Sequence, residues 1–165
     1  MGDVYEELLV KRKTTAVESA MKGIAYGLTV LLFAAAILFF GFPALILGSL
    51  MLLVDYFLVP KLDVEYEYQY ANGEIDIDAI YSKQRRKRLA SISLVDMECI
   101  APLGSHYLDG YQNGYSVLDY SARDPETRPF VFVRPSDRKL IYMQLEEDDM
   151  KKDIKTRKMR AFHED

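Results

Sequence analysis

The apolar positions of this chain follow two rhythms. From Ile24 to Val54 there is no charged side chain, and the run is broken only at Gly41-Phe42-Pro43. A helix rises about 1.5 Å per residue, so crossing a hydrocarbon core of about 30 Å takes roughly 20 apolar residues. The run is too long for one comfortable span, and two become possible when Ala16–Gly23 and Asp55–Val59 each supply a turn. Gly41 suits a helix C-terminus, and Pro43 suits the first position of the next helix, where a missing N–H costs nothing. The pattern predicts a two-helix membrane hairpin over residues 23–60. One long, tilted or kinked span is the alternative.

Beyond residue 60 the period becomes two. Leu62, Val64, Tyr66, Tyr68 and Tyr70 share one face, with Asp63, Glu65, Glu67 and Gln69 on the other. That alternation predicts a half-buried strand, with Tyr66 and Tyr68 inside and Glu65 and Glu67 in solvent. Asn72-Gly73 supplies a hairpin turn. A second strand carries Ile75, Ile77 and Ala79 on one side, and further strands are expected near Leu89–Leu94 and Met97–Ala101. Pro102 to Gly114 is irregular; Tyr115–Ser121 reads as a strand, and Phe130–Arg134 and Lys139–Leu145 as a hairpin. A helix from about Glu146 to Met159 closes the chain, its acidic start (Glu146 to Asp149) and basic end (Lys155, Arg157, Lys158, Arg160) matching the helix dipole. The expected fold is a membrane α-hairpin followed by a mainly-β domain of about seven antiparallel strands with one C-terminal helix.

Charge orients the hairpin. Lys11, Arg12, Lys13 and Lys22 precede it, Lys61 follows it, and its tip carries none. Positive residues stay on the cytoplasmic side. Residues 1–22 are therefore expected as a cytosolic segment and residues 61–165 as a cytosolic domain, in a two-pass cell-membrane protein with both termini inside. Tyr26 and Tyr56 lie at similar distances from the break, so a hairpin brings both phenols to one interface. A single span would put them at opposite interfaces. Asp55 is the one ionisable group within the second segment; beside Tyr56 it reads as an interfacial anchor, hydrated or paired with Lys22, rather than a proton or ion site. A cleavable signal peptide is not expected, because Asp3, Glu6 and Glu7 oppose a basic n-region. Small residues (Ala20, Gly23, Gly27, Ala34 and Ala35 in the first helix, Ala44 and Gly48 in the second) suit close helix packing within the hairpin.

Composition adds little to partner choice, since a net charge of −4 conceals opposed blocks. The lone Cys99 excludes an intrachain disulfide and suits a reducing compartment. The sharpest charged feature is Lys83 to Arg88, in which Lys83, Arg85, Arg86, Lys87 and Arg88 surround one neutral Gln84. Three readings compete: a solvated loop, nucleic acid, or anionic lipid headgroups. No recognition helix or interleaved aromatics support nucleic acid. If the first strand leaves the bilayer and the second returns, the run points back at headgroups, where each cation contributes roughly 1 kcal/mol.

Catalytic parts are lacking. Ser105-His106 with Asp109 offers triad residue types, but adjacent Ser and His rarely align, and no nucleophile elbow accompanies them. His106 reads as a loop residue. Cys99, in an apolar strand without a second cysteine, reads as a buried, inert thiol. The carboxylates at 146–149 lack calcium-loop spacing. No phosphate loop or metal-ligand cluster occurs, so no enzyme activity, cofactor or metal is expected.

The element order resembles bacterial pleckstrin-homology-like domains that follow a pair of transmembrane helices, on cues such as Tyr66-Glu67-Tyr68, the basic residues at 83–88 and Leu94-Val95-Asp96-Met97-Glu98. The whole chain is also similar to a family of small clostridial membrane proteins of unknown function. The segments that carry this second likeness are Val10-Lys11-Arg12-Lys13, Leu62-Asp63-Val64-Glu65-Tyr66-Glu67-Tyr68, Ile80-Tyr81-Ser82-Lys83, Arg86-Lys87-Arg88-Leu89-Ala90 and Ala101-Pro102-Leu103-Gly104-Ser105-His106. The resemblances imply an architecture and bring no activity or lipid-binding residue with them. The resulting expectation is a non-enzymatic, membrane-anchored interaction or scaffold module. The alternative is an accessory subunit packing through its hairpin against a larger membrane complex. The identity of a protein partner, or of a second copy, stays open.

Overall fold

The computed structural model describes residues 5–111, 113–146 and 148–164. Thr14–Val64 with Tyr81–Gln84 form one compact unit, and the remaining described residues form a second.

The first unit is built on α1 (Ala16–Ala35) and α2 (Phe42–Leu58). Thr15 caps α1 in a capping box: the Glu18 N–H donates to Thr15 Oγ1 at 3.2 Å, and the Thr15 N–H donates to Glu18 Oε2 at 2.9 Å. The last turn of α1 loosens into a π-helical segment, Ala36–Phe40, closed by the Gly41 N–H on Ala36 O at 2.9 Å. Gly41 then takes φ 59°, ψ −139°, a conformation open to glycine, and Pro43 lies in the first turn of α2. The break is thus a helix-helix corner, as its residues predict. Ala16–Phe39 and Leu45–Leu62 are long and apolar enough to cross a membrane, with a mean hydropathy of 1.9 and 1.8. Helix-to-helix packing uses Gly48, where an added methyl would meet the Phe33 ring at 3.2 Å.

The second unit holds two four-stranded sheets and a helix. The first sheet has the order β1-β2-β3-β4, from β1 (Tyr5–Lys11), β2 (Val64–Ala71), β3 (Glu74–Tyr81) and β4 (Arg85–Ser93). β1 falls inside the segment read from sequence as a separate N-terminal tail. It pairs antiparallel with β2 from Tyr5 opposite Ala71 to Lys11 opposite Glu65. Asn72 and Gly73, at φ 50° and 94°, turn β2 into β3 as expected. β4 starts at Arg85, within the basic run, rather than near Leu89.

The second sheet contains β5 (Cys99–Pro102), β6 (Ser116–Asp119), β7 (Phe130–Arg134) and β8 (Lys139–Met143) in the order β5-β7-β8-β6. Beyond residue 60 the described residues hold the expected seven strands, β1 adds an eighth, and not all are antiparallel: β6 runs parallel to β8. The β7–β8 hairpin occupies the centre, so β6 enters at the far edge of β8 and the 120–129 connection carries the chain back. β7 reads Phe-Val-Phe-Val because both its faces are buried. Val131 and Val133 join Cys99, Ala101, Leu108 and Leu140 on one side. Phe132, Ile141 and Met143 are fully buried.

Tyr66, Tyr68 and Tyr70 point inward, as their alternation predicts, and all three are buried. The Tyr68 hydroxyl donates to Tyr120 O at 2.5 Å and accepts the Gln144 N–H at 3.3 Å, linking β2 to the loops that flank the second sheet. α3 (Asp149–Arg157) is shorter than expected; Asp148 caps it by accepting the Lys151 N–H at 2.8 Å, and Met150 and Ile154 form its buried stripe. Of its predicted acidic start, Glu147 lies outside the described residues. After α3 the chain returns to β5, where Phe162 stacks on Phe130 at 5.4 Å.

The opposite face of β2 departs from expectation. Glu65 is buried at 8% exposure and Glu67 is half-buried. Strands on either side cause this: the neighbouring β1 brings Lys11 opposite Glu65, and Arg86 of β4 reaches across β3 to Glu67.

Candidate functional site

The basic run is divided by the structure. Arg86 and Arg88 lie over the polar face of the first sheet, where β3 alternation presents Asp76 and Asp78. Asp78, buried at 5% exposure, accepts from both arginines, with Arg86 Nε on Oδ2 at 2.9 Å and Arg88 Nε on Oδ1 at 3.0 Å. Arg88 also reaches Asp76 at 2.7 Å and Gln69 at 3.4 Å, and Arg86 pairs with Glu67. Gln69 Nε2 donates to Glu67 Oε2 at 3.3 Å, completing a lattice of charges. Its hydrogen bond to Asp78 holds the Arg88 guanidinium even more firmly protonated than usual.

Both guanidinium groups are thus held in ion pairs over the sheet, with 49% of the Arg86 and 54% of the Arg88 side chain still exposed. Lys83 sits in the β3–β4 turn with φ 58°, and Lys87 is exposed on β4; neither has an ion-pair partner among the described residues. Arg85 is exposed at the start of β4.

Within the helix pair, Asp55 meets Thr29 rather than Lys22. Thr29 Oγ1 donates to Asp55 Oδ2 at 2.6 Å, and both side chains are buried, at 4% and 5% exposure. The carboxylate is a buried contact between α1 and α2. Sequence spacing places Thr29 and Asp55 at similar distances from the Gly41 corner, and that signal could have paired them. Tyr26 and Tyr56 are exposed on the helices, and Lys22 is half-buried.

The residues with catalytic side chains are dispersed. Ser105 is buried in a turn whose N–H donates to Pro102 O at 3.0 Å. His106 is exposed and packs its ring against Tyr107 at 4.0 Å, while His163 stacks on Tyr107 at 3.8 Å. Cys99 is buried at 5% exposure; burial, then the neighbouring Glu98, pushes its thiol pKa up, as an inert thiol requires. No group of three metal-ligating side chains occurs among the described residues.

One cavity was not foreseen. It has a volume of about 430 Å³ in the 120–129 loop and is lined by Leu103, Asp119, Ser121, Arg123, Arg128 and Tyr142. Its polar groups largely satisfy one another: Asp119 accepts from the Ser121 N–H and hydroxyl at 3.0 and 2.7 Å and from Arg123 Nε at 2.8 Å. The loop is also held to the chain ahead of α1, through the Lys13 N–H on Ala122 O at 2.7 Å and Lys13 Nζ on Asp124 at 2.8 Å.

A family model described as "Bacterial PH-like domain (DUF6106)" matches residues 2–163. No curated protein and no solved structure matches the chain.

Proposed function

Because the chain belongs to this family of bacterial PH-like domains, we propose that it is a non-enzymatic, membrane-anchored interaction or scaffold module, presenting its β-domain at the cytoplasmic face of the cell membrane. The observation that carries the reading is the pairing of β1 with β2. β1 precedes α1 and β2 follows α2, yet the two strands pair antiparallel over seven opposed positions, from Tyr5–Ala71 to Lys11–Glu65. Strands on opposite sides of a bilayer cannot pair, so the segment between them crosses an even number of times. Two apolar helices with a corner at Gly41 suit that requirement, and the basic flanks Lys11 to Lys22 and Lys61 select the cytoplasmic side.

The accessory-subunit reading is supported by α1, where a methyl added at Gly23 or Gly27 would meet nothing within 4 Å. Those positions leave room for a further helix to approach closely.

Topology is tested in a Cys99→Ser background with single cysteines at Thr14, Phe42 and Glu146, all exposed. In intact cells an impermeant maleimide should label Phe42→Cys and spare the other two until the membrane is opened. Labelling of only one of Thr14→Cys and Glu146→Cys would establish an odd number of crossings and overturn the reading.

A further inference from the structure

The sheet edges are protected to different degrees. In the second sheet the outer edge of β5 is closed by the C-terminal segment, with the Ile100 N–H on Ala161 O at 2.7 Å and the His163 N–H on Ile100 O at 2.8 Å. β6, at the other edge, has only four residues. In the first sheet, β1 is bordered by the start of α3, whose Met150 N–H donates to the Glu6 carboxylate at 2.5 Å. β4 differs from all three. With nine residues it is the longest strand, it ends the sheet, and among the described residues no backbone hydrogen bond reaches its outer side.

An uncovered edge of that length is a template for another strand, and its side chains decide which strand fits. Arg85, Arg86, Lys87 and Arg88 are all exposed. Two copies of β4 laid side by side would set cation against cation, which destabilises a strand pair. A strand bearing carboxylates meets the opposite situation. β3 already shows the fit on the inner side: Glu74-Ile75-Asp76-Ile77-Asp78 alternates acid with apolar side chains, and Asp76 and Asp78 hold Arg88 and Arg86.

We infer that β4 accepts, as a fifth strand of the first sheet, an extended segment of a partner protein that carries carboxylates at alternate positions. Main-chain hydrogen bonds along β4 supply the attachment, and Lys87, with no ion-pair partner among the described residues, supplies charge selection. The inference rests on the reading of the protein as an interaction module and names the strand and the chemistry of what it takes. An anionic bilayer also suits a basic strand start, but it leaves the edge N–H and C=O groups without the regular partners that a strand provides.

The test uses the full chain in nanodiscs of zwitterionic lipid. The probes are an octapeptide alternating Glu with Val, its Lys–Val counterpart, and two Glu–Val versions N-methylated at odd or at even residues. The Glu–Val peptide should slow amide hydrogen exchange across residues 85–93, and its binding should weaken as salt rises. One of the two N-methylated forms should lose binding, and the Lys–Val peptide should not bind. Lys87→Glu, at an exposed position, should weaken the Glu–Val peptide by about tenfold, as loss of a charge contact does, while leaving the thermal midpoint of the protein in place. Unchanged exchange across 85–93, or binding that survives both methylation patterns, overturns the inference. Salt-sensitive protection of 85–93 on nanodiscs of phosphatidylglycerol, with none from the peptide, assigns the strand to the bilayer instead. The cysteine map of topology is independent, so failure of the anchor reading and failure of the docking strand give different results.

Discussion

Tyr68 offers the clearest measurement of how the β-domain is held together. Its ring is fully buried, and its hydroxyl bonds two chain segments at once, Tyr120 O at 2.5 Å and the Gln144 N–H at 3.3 Å. Burial raises the phenol pKa, so the hydroxyl remains a donor throughout the accessible pH range. Tyr68→Phe keeps the ring and removes both bonds, leaving one carbonyl and one N–H without their partner. An orphaned buried group costs about 1–3 kcal/mol, and because Tyr120 and Gln144 are only half-buried the lower half of that range applies. Tyr68→Ala adds the lost ring and its cavity, for about 3–5 kcal/mol in all. Glu67→Ala, on the other face, removes one partner of the half-exposed Arg86 and should cost no more than about 1 kcal/mol. The assay is thermal or denaturant unfolding of the full chain in detergent, followed by near-ultraviolet circular dichroism of the tyrosines. The order Ala, Phe, then Glu67→Ala is required. A Tyr68→Phe protein as stable as the parent would show that the hydroxyl bridges nothing, and equal costs for Tyr68→Ala and Glu67→Ala would refute the strand register.

Asp78→Asn should destabilise the same protein by about 1–3 kcal/mol, because Asp78 is buried and takes one arginine on each oxygen; Lys87→Gln should be neutral within about 0.5 kcal/mol. Asp137 should titrate at about 2, held down by its hydrogen bonds from Arg134, against a smaller upward effect of burial, and helped by Lys139. Its folded pKa is depressed, so the stabilisation is present above the unfolded value and is lost as pH falls from about 4 through about 2. Arg134→Gln should raise the Asp137 midpoint in a carboxyl-carbon NMR titration; because the aspartate side chain is 37% exposed, the stability at stake is under about 1 kcal/mol. For headgroup contact, Lys83 and Lys87 together can contribute up to about 2 kcal/mol, not the roughly 4 that a fully free run would give. A spin label at Ser91 should therefore report only a small, salt-sensitive difference between anionic and zwitterionic nanodiscs.

Much of this architecture is legible in periodicity. The uncharged run with its Gly-x-Pro corner, the Tyr66-x-Tyr68-x-Tyr70 alternation, the Asn72-Gly73 turn and the β7–β8 hairpin all appear where local patterning places them. Local signals of this kind depend on a residue's own neighbours. The misses depend on residues far away in the chain. β1 lacks a clean alternation, since Leu8, Leu9 and Val10 are consecutive, and only its register against β2 shows that Val10 is buried while Leu9 is exposed. The acid face of β2 reads as solvent-facing until Lys11 and Arg86 arrive from either side. The basic run reads as a loop because cations are poor strand formers in isolation, yet opposite carboxylates on β3 make them suitable there. Asp55 reads as hydrated or paired with Lys22 until its hydrogen bond from Thr29, on the other side of the corner, is known.

The same distant pairing changes what counts as the domain. A boundary at Lys61 follows the composition shift, but the first sheet begins on the other side of the helices. Val10 is buried, Glu6 accepts the Met150 N–H of α3, and Lys13 bonds both the backbone of Ala122 and the side chain of Asp124. A fragment starting at Lys61 would leave β2 as an exposed edge and strip α3 of the partner for one of its first N–H groups. Loop-closure entropy grows only slowly with length, so a long insertion between paired strands is tolerable in principle. A helical hairpin is a particularly favourable insertion, because two antiparallel helices return the chain close to where it left. Once α1 and α2 are packed at Phe33–Gly48 and Thr29–Asp55, β1 and β2 are joined by what is effectively a short connection. The pairing of β1 with β2, with Lys11 opposite Glu65, thus brings together the two connections that lead into and out of the helix pair; in the membrane-anchored reading we propose, both outer helix ends would then lie on one side of the bilayer.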